Sequence, residues 1–436
     1  MSILEQRRVV IVGGGLMGCS IATGLARRGA DVHVIEASPG PGMGSTAASS
    51  AVIRFHYSTE AGTALAYEGL HYWRNWAEHI GVEPEGGLVE LVTTGMVGLA
   101  DGTGHLDRCR PILERLGVPH EWWDTEELAR RMPYLDTGAF FPPTRPDDDR
   151  FFADPASVIT GALYEPDAGY VTDPQLAAAN LHDAAVAAGA RFAFNTRVTE
   201  IDVAEGRVIG VRLDDGAPVE ADIVINAAGP YSASINAMAG LEGSMTIGTR
   251  PMRQEVHHVP GPATPATDEP IPALGDGDSG FYYRPDAHGN LLVGSLEPEC
   301  DPLEWLDDAD EADEGLSEQW EVQTLRVARR IPELGVPHDR RGVVGVYDAS
   351  DDWIPIYDRT DLDGFYVAIG TSGNQFKNAG PVGTLMTDLI EAVEGGHDHD
   401  AEPVVYTGTY TGLPIDLGTF ARNRTVNTGS SMSVRG

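Results

Sequence analysis

Two textures of apolar and polar positions alternate along this chain. The run RRVVIV carries charge on one side and glycine on the other, which predicts a short buried strand. Behind it, LMGCSIATGLARRG has apolar positions at helical spacing and closes on Gly29, and VHVIEAS predicts a second strand, completing a βαβ unit. A helix is expected through AGTALAYEGLHYWRNWAEHIG, where Leu65, Leu70, Trp73 and Trp76 recur on one face as core positions. From Gly86 the pattern turns β-like (LVELVTTGMVGLA), then gives an amphipathic helix (DRCRPILERLG) and a proline-rich acidic connection (FFPPTRPDDDR). The first texture returns with an alanine-rich helix, a strand RFAFNTRVTEID, a hairpin at VIGVRL and a strand in VEADIVINAAGPYS. A second β-rich block runs from Ser244 to about Arg340, and the stretch from GVVGVYDAS to TLMTDLIEAV reads as strand, glycine loop and helix.

The simplest fold is an α/β, Rossmann-like nucleotide domain interrupted by a β-rich, antiparallel-sheet domain. The nucleotide domain takes residues 1–85, 150–243 and 341–412, the β-rich domain 86–149 and 244–340, and a tail 413–436. A length of 436 residues calls for two domains on its own.

Gly13, Gly15 and Gly18 stand at G-x-G-x-x-G spacing between the first strand and helix, with Glu36 at the end of the second strand. Such a loop turns tightly, lets backbone N–H groups meet a pyrophosphate, and packs helix on strand, while Leu16 and Met17 open the helix whose dipole faces the phosphates. Glu36 is placed to accept from an adenosine ribose and would repel a 2′-phosphate, so FAD or NAD is expected and NADP is not.

A formal charge of −36 excludes nucleic acid and anionic membrane as partners. The acidic run ECDPLEWLDDADEADEGLSEQ lacks a calcium-loop pattern and reads as a solvated face. Cys19, Cys109 and Cys300 are too scattered for a metal or redox pair, and no metal is expected. Arg7 and Arg8 resemble an export signal, but the run behind them is the first strand and glycine loop. No apolar segment reaches 18 residues, so a cytoplasmic location is expected. Lys377 is the only lysine beside 29 arginines, which singles out its position as one where a lysine has its own work.

On VVIVGGGLMG, INAAGPYS and GTSGNQFKNAGPVG, the chain resembles the D-amino-acid oxidase and sarcosine oxidase superfamily of flavoproteins over nearly its whole length, most closely the sarcosine and dimethylglycine branch. The resemblance implies a glutathione-reductase-type FAD fold with the flavin ring between two domains, and oxidation of a C–H bond beside an amine nitrogen. It places Arg54 on the substrate carboxylate, Lys377 beside flavin and carboxylate, and Tyr347 at the active site, with Tyr283, His56 and Tyr57 as further pocket candidates. It places Ser45, Ser49, Ser50 and Ala51 along the flavin, Val198 at the adenine, Ala228 and Gly229 at the cofactor edge, and Gly373, Asn374, Gln375 and Phe376 in the loop carrying Lys377. Gly345 stands where monomeric sarcosine oxidases carry the cysteine linked to flavin, and GSTAASS lacks the histidine of the dimethylglycine branch, so a dissociable FAD is expected. The family's oxygen-activating lysine aligns near Leu292, and Asn374 and Gln375 replace its His-Gly.

The expected activity is flavin-dependent oxidation of an amino acid or N-methylated amino acid to an imine, with electrons passed to oxygen or another acceptor. A 2-hydroxy-acid oxidase or dehydrogenase with His56 as base, a flavin-binding subunit without turnover, and an NAD-only dehydrogenase are the alternatives. The expected ligand is a small carboxylate-bearing amine; a homo-oligomer and a partner subunit both stay open.

Overall fold

The computed structural model describes residues 2–262 and 270–436, so residues 263–269 of the expected 244–340 segment lie outside the described residues. Six strands form the first sheet in the order Ile356–Arg359, Phe365–Ile369, Ile223–Asn226, Arg8–Val12, Asp31–Ile35, Arg191–Ala193. All neighbours are parallel except the first pair. Its alternating side chains separate two cores, as the period of a strand requires. Val9 and Ile11 pack with Ile21, Leu25, Leu385 and Leu389 of the helices Leu16–Arg27 and Ala379–Glu394. Val10 and Val12 pack on the opposite face with Val198, Ile201, Val208 and Val211. Those four belong to a separate three-stranded antiparallel sheet, Val198–Ala204, Arg207–Leu213 and Pro218–Glu220. The nucleotide half is therefore helices, parallel sheet and small antiparallel sheet in three layers.

The second sheet runs Glu304–Trp305, Thr249–Pro260, Asn290–Ser295, Phe281–Pro285, Ala273–Asp276, Met96–Leu99, Ala162–Glu165, Glu121–Trp123, with Gly342–Ser350 also paired to Thr249–Pro260. One face carries Leu274, Phe281, Tyr283, Leu291 and Val293 against Trp320, Val327 and Ile331 of and beside the helix Gln319–Arg330. The other face turns toward the first domain.

Several elements differ from expectation, for local reasons. RFAFNTRVTEID is not one strand: Asn195 at φ 51° breaks it, and its halves join different sheets. Gly95 at φ 72° divides LVELVTTGMVGLA in the same way, giving Leu91–Thr93 and Met96–Leu99. The helix expected through Trp76 is two, Glu60–Arg74 and Trp76–Ile80, parted at Asn75. Ala162–Glu165 and Gly342–Ser350, assigned to the nucleotide domain by the boundaries 150 and 341, pair into the large sheet. The acidic run is not uniformly solvated, because Asp301 is buried in a two-bond pair with Arg326 at 2.6 and 2.8 Å. Residues 413–436 are not a loose tail, since their last residues pack into the space between the sheets. Among the described residues no helix is long and apolar enough to cross a membrane.

The far end of the large sheet is fixed by a buried cation. Arg330, fully enclosed, donates to Asp276 at 2.7 Å, to Asp278 at 2.8 Å, and to the carbonyls of Asp136 and Gly138 at 2.6 and 2.7 Å. Removing one partner of such a network strands the others' charge in a dry interior. Arg330→Met should lower unfolding free energy by about 3–5 kcal/mol, read from denaturant midpoints; a loss below about 1 kcal/mol would mean that the network is not holding the turn.

Candidate active site

The nucleotide loop is built by exclusion of side chains. A Cβ at Gly18 would lie 1.9 Å from the carbonyl oxygen of Gly13, and a Cβ at Gly13, which sits at φ 108°, would lie 2.4 Å from that of Ala227. Only glycine lets helix, loop and neighbouring strand end approach this closely. Gly15 then precedes the helix Leu16–Arg27 with no side-chain cap of its own, and the Leu16 N–H donates to Thr46 Oγ1 at 3.2 Å. Glu36 stands beside the loop, its carboxylate accepting from Gly14 N at 2.5 Å and Ser38 N at 2.7 Å. Thr196 N donates to the Glu36 carbonyl at 3.0 Å, which brings the start of the strand headed by Val198 to this end.

A cavity of about 1510 Å³, measured to its open mouth, leads from Gly15, Leu16 and Met17 to the large sheet. Ser45, Ser49, Ser50, Ala51, Gly229, Gly373, Asn374, Gln375, Phe376 and Lys377 line it, and so do Arg54, His56 and Tyr347. Gly13, Gly18, Glu36, Val198 and Ala228 frame the nucleotide end without lining this space. Tyr283 is elsewhere: it is fully buried in the core behind the sheet, 3.4 Å from the Tyr134 hydroxyl. Its neighbour Tyr282 faces the cavity and meets Ser50 Oγ at 2.9 Å, because adjacent strand residues point to opposite faces. Leu292 is not in the lining. Tyr57 stands just behind it, its hydroxyl donating to the Asn374 carbonyl at 3.0 Å.

Two basic side chains from distant parts of the chain meet on Tyr57. The Arg54 guanidinium lies 4.4 Å from the ring centroid and Lys377 Nζ 4.7 Å. Arg54, only 7% exposed, donates to the carbonyls of His56 at 2.9 Å and Val434 at 2.8 Å, and among the described residues no carboxylate pairs with it. Lys377 donates to the Tyr57 hydroxyl and the Asn374 carbonyl. Burial, then the charge of Arg54, pull its pKa well below that of a free lysine, with Glu165 opposing. Burial pushes the Tyr57 phenol up to about 12. The loop carrying Lys377 is propped by Trp73, which stacks on Phe376 at 5.4 Å and donates to the Lys377 carbonyl at 2.8 Å. Trp73 and Trp76 are core residues, as their spacing predicts.

Beside Arg54, His56 Nδ1 is 2.8 Å from Glu165, which also accepts from Phe55 N at 3.1 Å. Burial lowers the His56 pKa more than Glu165 restores it, so the ring is neutral and its Nε2 has no protein partner. His105, Gln254 and Arg435 also line the cavity and were not singled out by sequence. His105 and Arg435 stand in an ordinary helix start and an apparent tail, so only the three-dimensional course of the chain reveals them.

Gly345 borders the cavity where a Cβ would come within 2.8 Å of the Ala48 Cβ, and Cys19, Cys109 and Cys300 are outside the lining. The profile described as "DAO: FAD dependent oxidoreductase" matches residues 8–389. The chain belongs to this FAD dependent oxidoreductase family. It is 25% identical to FAD-dependent oxidoreductase domain-containing protein 1 of Xenopus laevis over 90% of this chain and 80% of that one. Glycine oxidase of Geobacillus kaustophilus is 26% identical over 89% of this chain and 94% of its own. The crystal structure of that oxidase superposes with a TM-score of 0.70 at 22% identity, covering 97% of this chain and all of that one, which shows the shared fold. L-proline dehydrogenase from P. horikoshii gives the same TM-score at 24% identity over 91% of this chain and all of its own.

This FAD-dependent oxidoreductase has a site that fits its cofactor. The glycine cradle leaves room for backbone N–H groups at a pyrophosphate, the Glu36 carboxylate stands beside that loop at the end of the second strand, and the cavity offers a long lining of small and hydroxylated residues for a flavin. With glycine at 345 and no cysteine in the lining, acid precipitation should release all flavin to the supernatant and leave a polypeptide of unmodified mass. Yellow colour retained in the pellet, with a mass raised by one flavin, would show a covalent link.

Proposed function

We propose that this flavoprotein oxidises the C–N bond of a small amino acid or N-methylated amino acid to an imine, which water then hydrolyses. The observation that carries this reading is the convergence of Arg54 and Lys377 in one buried cavity beside the glycine loops, with the Arg54 charge unmatched by any carboxylate. A buried cation without a counter-ion is a receptor for an anion. A substrate carboxylate would meet the planar fork of Arg54, whose orientation the His56 and Val434 carbonyls hold. Glycine oxidase among the relatives supports this class. So does 4-methylaminobutanoate oxidase (formaldehyde-forming) of Paenarthrobacter nicotinovorans, 27% identical over 67% of this chain and 32% of its own.

FAD supplies the two-electron acceptor when bound. The chain's own part is to fix the substrate and move one proton. An amine gives up hydride equivalents only when neutral, and its ammonium would enter a space already occupied by Arg54. His56 Nε2 is free to accept that proton, with Glu165 holding Nδ1 and stabilising the imidazolium. Loss of that proton to the base and of a hydride equivalent would leave a protonated imine, and its hydrolysis would give a carbonyl compound and an amine or ammonia.

The same dyad favours a second reading, oxidation of a 2-hydroxy acid, where a base must take the hydroxyl proton. Ammonia, methylamine or formaldehyde among the products supports the amine reading; a keto acid alone supports the hydroxy acid.

Arg54→Gln should retain bound flavin and raise KM about 100-fold or more, the loss of a charge-assisted fork, in steady-state kinetics; unchanged KM would remove the carboxylate clamp from the reading. Because His56 is held below the ordinary imidazole value of 6.5, its base form persists as pH falls to that value and is lost only below it. The acidic limb of kcat/KM should therefore lie below pH 6.5 and vanish in His56→Asn. A limb unchanged by this substitution would assign the proton to another group.

A further inference from the structure

Val434 and Arg435 line the cavity, and their segment is pinned by three contacts to distant parts of the chain. The Val434 carbonyl accepts from Arg54 at 2.8 Å, the Val434 N–H donates to Glu297 at 2.8 Å, and Arg435 Nη1 donates to Asp101 at 2.6 Å. Asp101 is itself oriented, accepting from Thr103 N at 2.8 Å, and its side chain is 2% exposed. Gly277 makes room for this pair, since a Cβ there would lie 1.9 Å from Asp101 Oδ2 and 2.6 Å from Arg435 Nη1. Arg435 lines the cavity, yet Asp101 uses one nitrogen only. Among the described residues its Nε is buried with no acceptor and its Nη2 has none either.

A guanidinium offers two forks, and the Nε/Nη2 edge matches a carboxylate with two parallel bonds. Asp101 therefore acts as the positioning group, and the donors it leaves unused are the buried Nε and the Nη2 of a side chain that lines the same cavity as Arg54. The geometry points to a second anionic subsite: the substrate is an amine bearing two carboxylates, one held by Arg54 and Lys377 and the other by the free edge of Arg435. This rests on the amine-oxidation reading for its chemistry, but not for its binding. Leu99 and Leu106 line the same cavity, His105 Nδ1 is buried and unpartnered among the described residues, and the Glu297 carboxylate beside Arg435 is occupied by the Val434 N–H.

The test titrates the FAD-loaded protein with acids that do not reduce the flavin, reading the flavin absorption shift and, independently, heat of binding. The probes are malonate, succinate and glutarate against acetate, propionate and butyrate. The best dicarboxylate should bind at least about tenfold more tightly than its monocarboxylate match, the increment of one charge-assisted fork. Arg435→Gln should abolish that ratio and change monocarboxylate binding by less than about twofold, and Arg435→Lys should restore part of it. Arg435→Gln combined with Asp101→Asn guards against misfolding, because it leaves no stranded carboxylate. A dicarboxylate preference that survives Arg435→Gln in the folded double variant overturns the subsite, as does a wild-type protein with no preference. If the preference is present but no amine bleaches the flavin while hydroxy acids do, the subsite stands and the amine reading falls.

Discussion

Arg54 sets the electrical state of the whole cavity. A guanidinium at 7% exposure, satisfied by carbonyl dipoles and paired with no carboxylate among the described residues, keeps its charge in a poorly solvated space, where Glu165, bonded to His56 and Phe55 N, acts on the same neighbours in the opposite sense. Every titratable neighbour feels the Arg54 charge. It opposes protonation of His56 and His105, contributes to the depressed pKa of Lys377, and works against the burial that raises Tyr57. A site kept at this expense is poised for an anion, and a carboxylate entering it would relax several unfavourable interactions together.

Holding that charge in place is the work of the fold as a whole. Arg54 follows the two-residue strand Val52–Ile53, Lys377 follows the last strand of the parallel sheet, and the Val434 carbonyl arrives from the end of the described chain. The parallel sheet positions the cofactor end through the contacts of Gly13 and Gly18. The large sheet, antiparallel except where Ala273–Asp276 runs parallel to Met96–Leu99, supplies the opposite wall, with Tyr282, Gln254 and Gly275 on one face and its own core on the other. The Arg330 network stiffens the turn that carries Gly277, and so the wall against which Arg435 is set.

What the sequence displayed was whatever is encoded locally. The first βαβ unit, the glycine spacing and Glu36 were legible because strand period, helix period and tight turn follow each other without interruption. Arg54 and Lys377 were legible only through resemblance, for nothing in AVIRFHY or QFKNAG says that these segments meet. Register was the weak point. Tyr283 and Tyr282 are equally good strand residues, and a single step exchanges core for cavity. Breaks at Asn195 and Gly95 divided apparent strands between sheets without altering their hydrophobicity, and the pairing of Ala162–Glu165 and Gly342–Ser350 into the large sheet carried no local mark either. Arg435 carried no local signal, since its environment is assembled from Asp101, Gly277 and Arg54, far away in sequence.

The only lysine among 29 arginines gains a physical meaning from this arrangement. An arginine at 377 would stay charged under any surroundings, placing two permanent cations on one tyrosine ring. A lysine can give up its proton when burial and Arg54 disfavour it, and take it back when an anion arrives. An anion bound beside Arg54 would offset both the burial and the charge that lower the lysine, and so favour its ammonium form. Binding of the anion and protonation of Lys377 are then linked, each favouring the other by the same free energy.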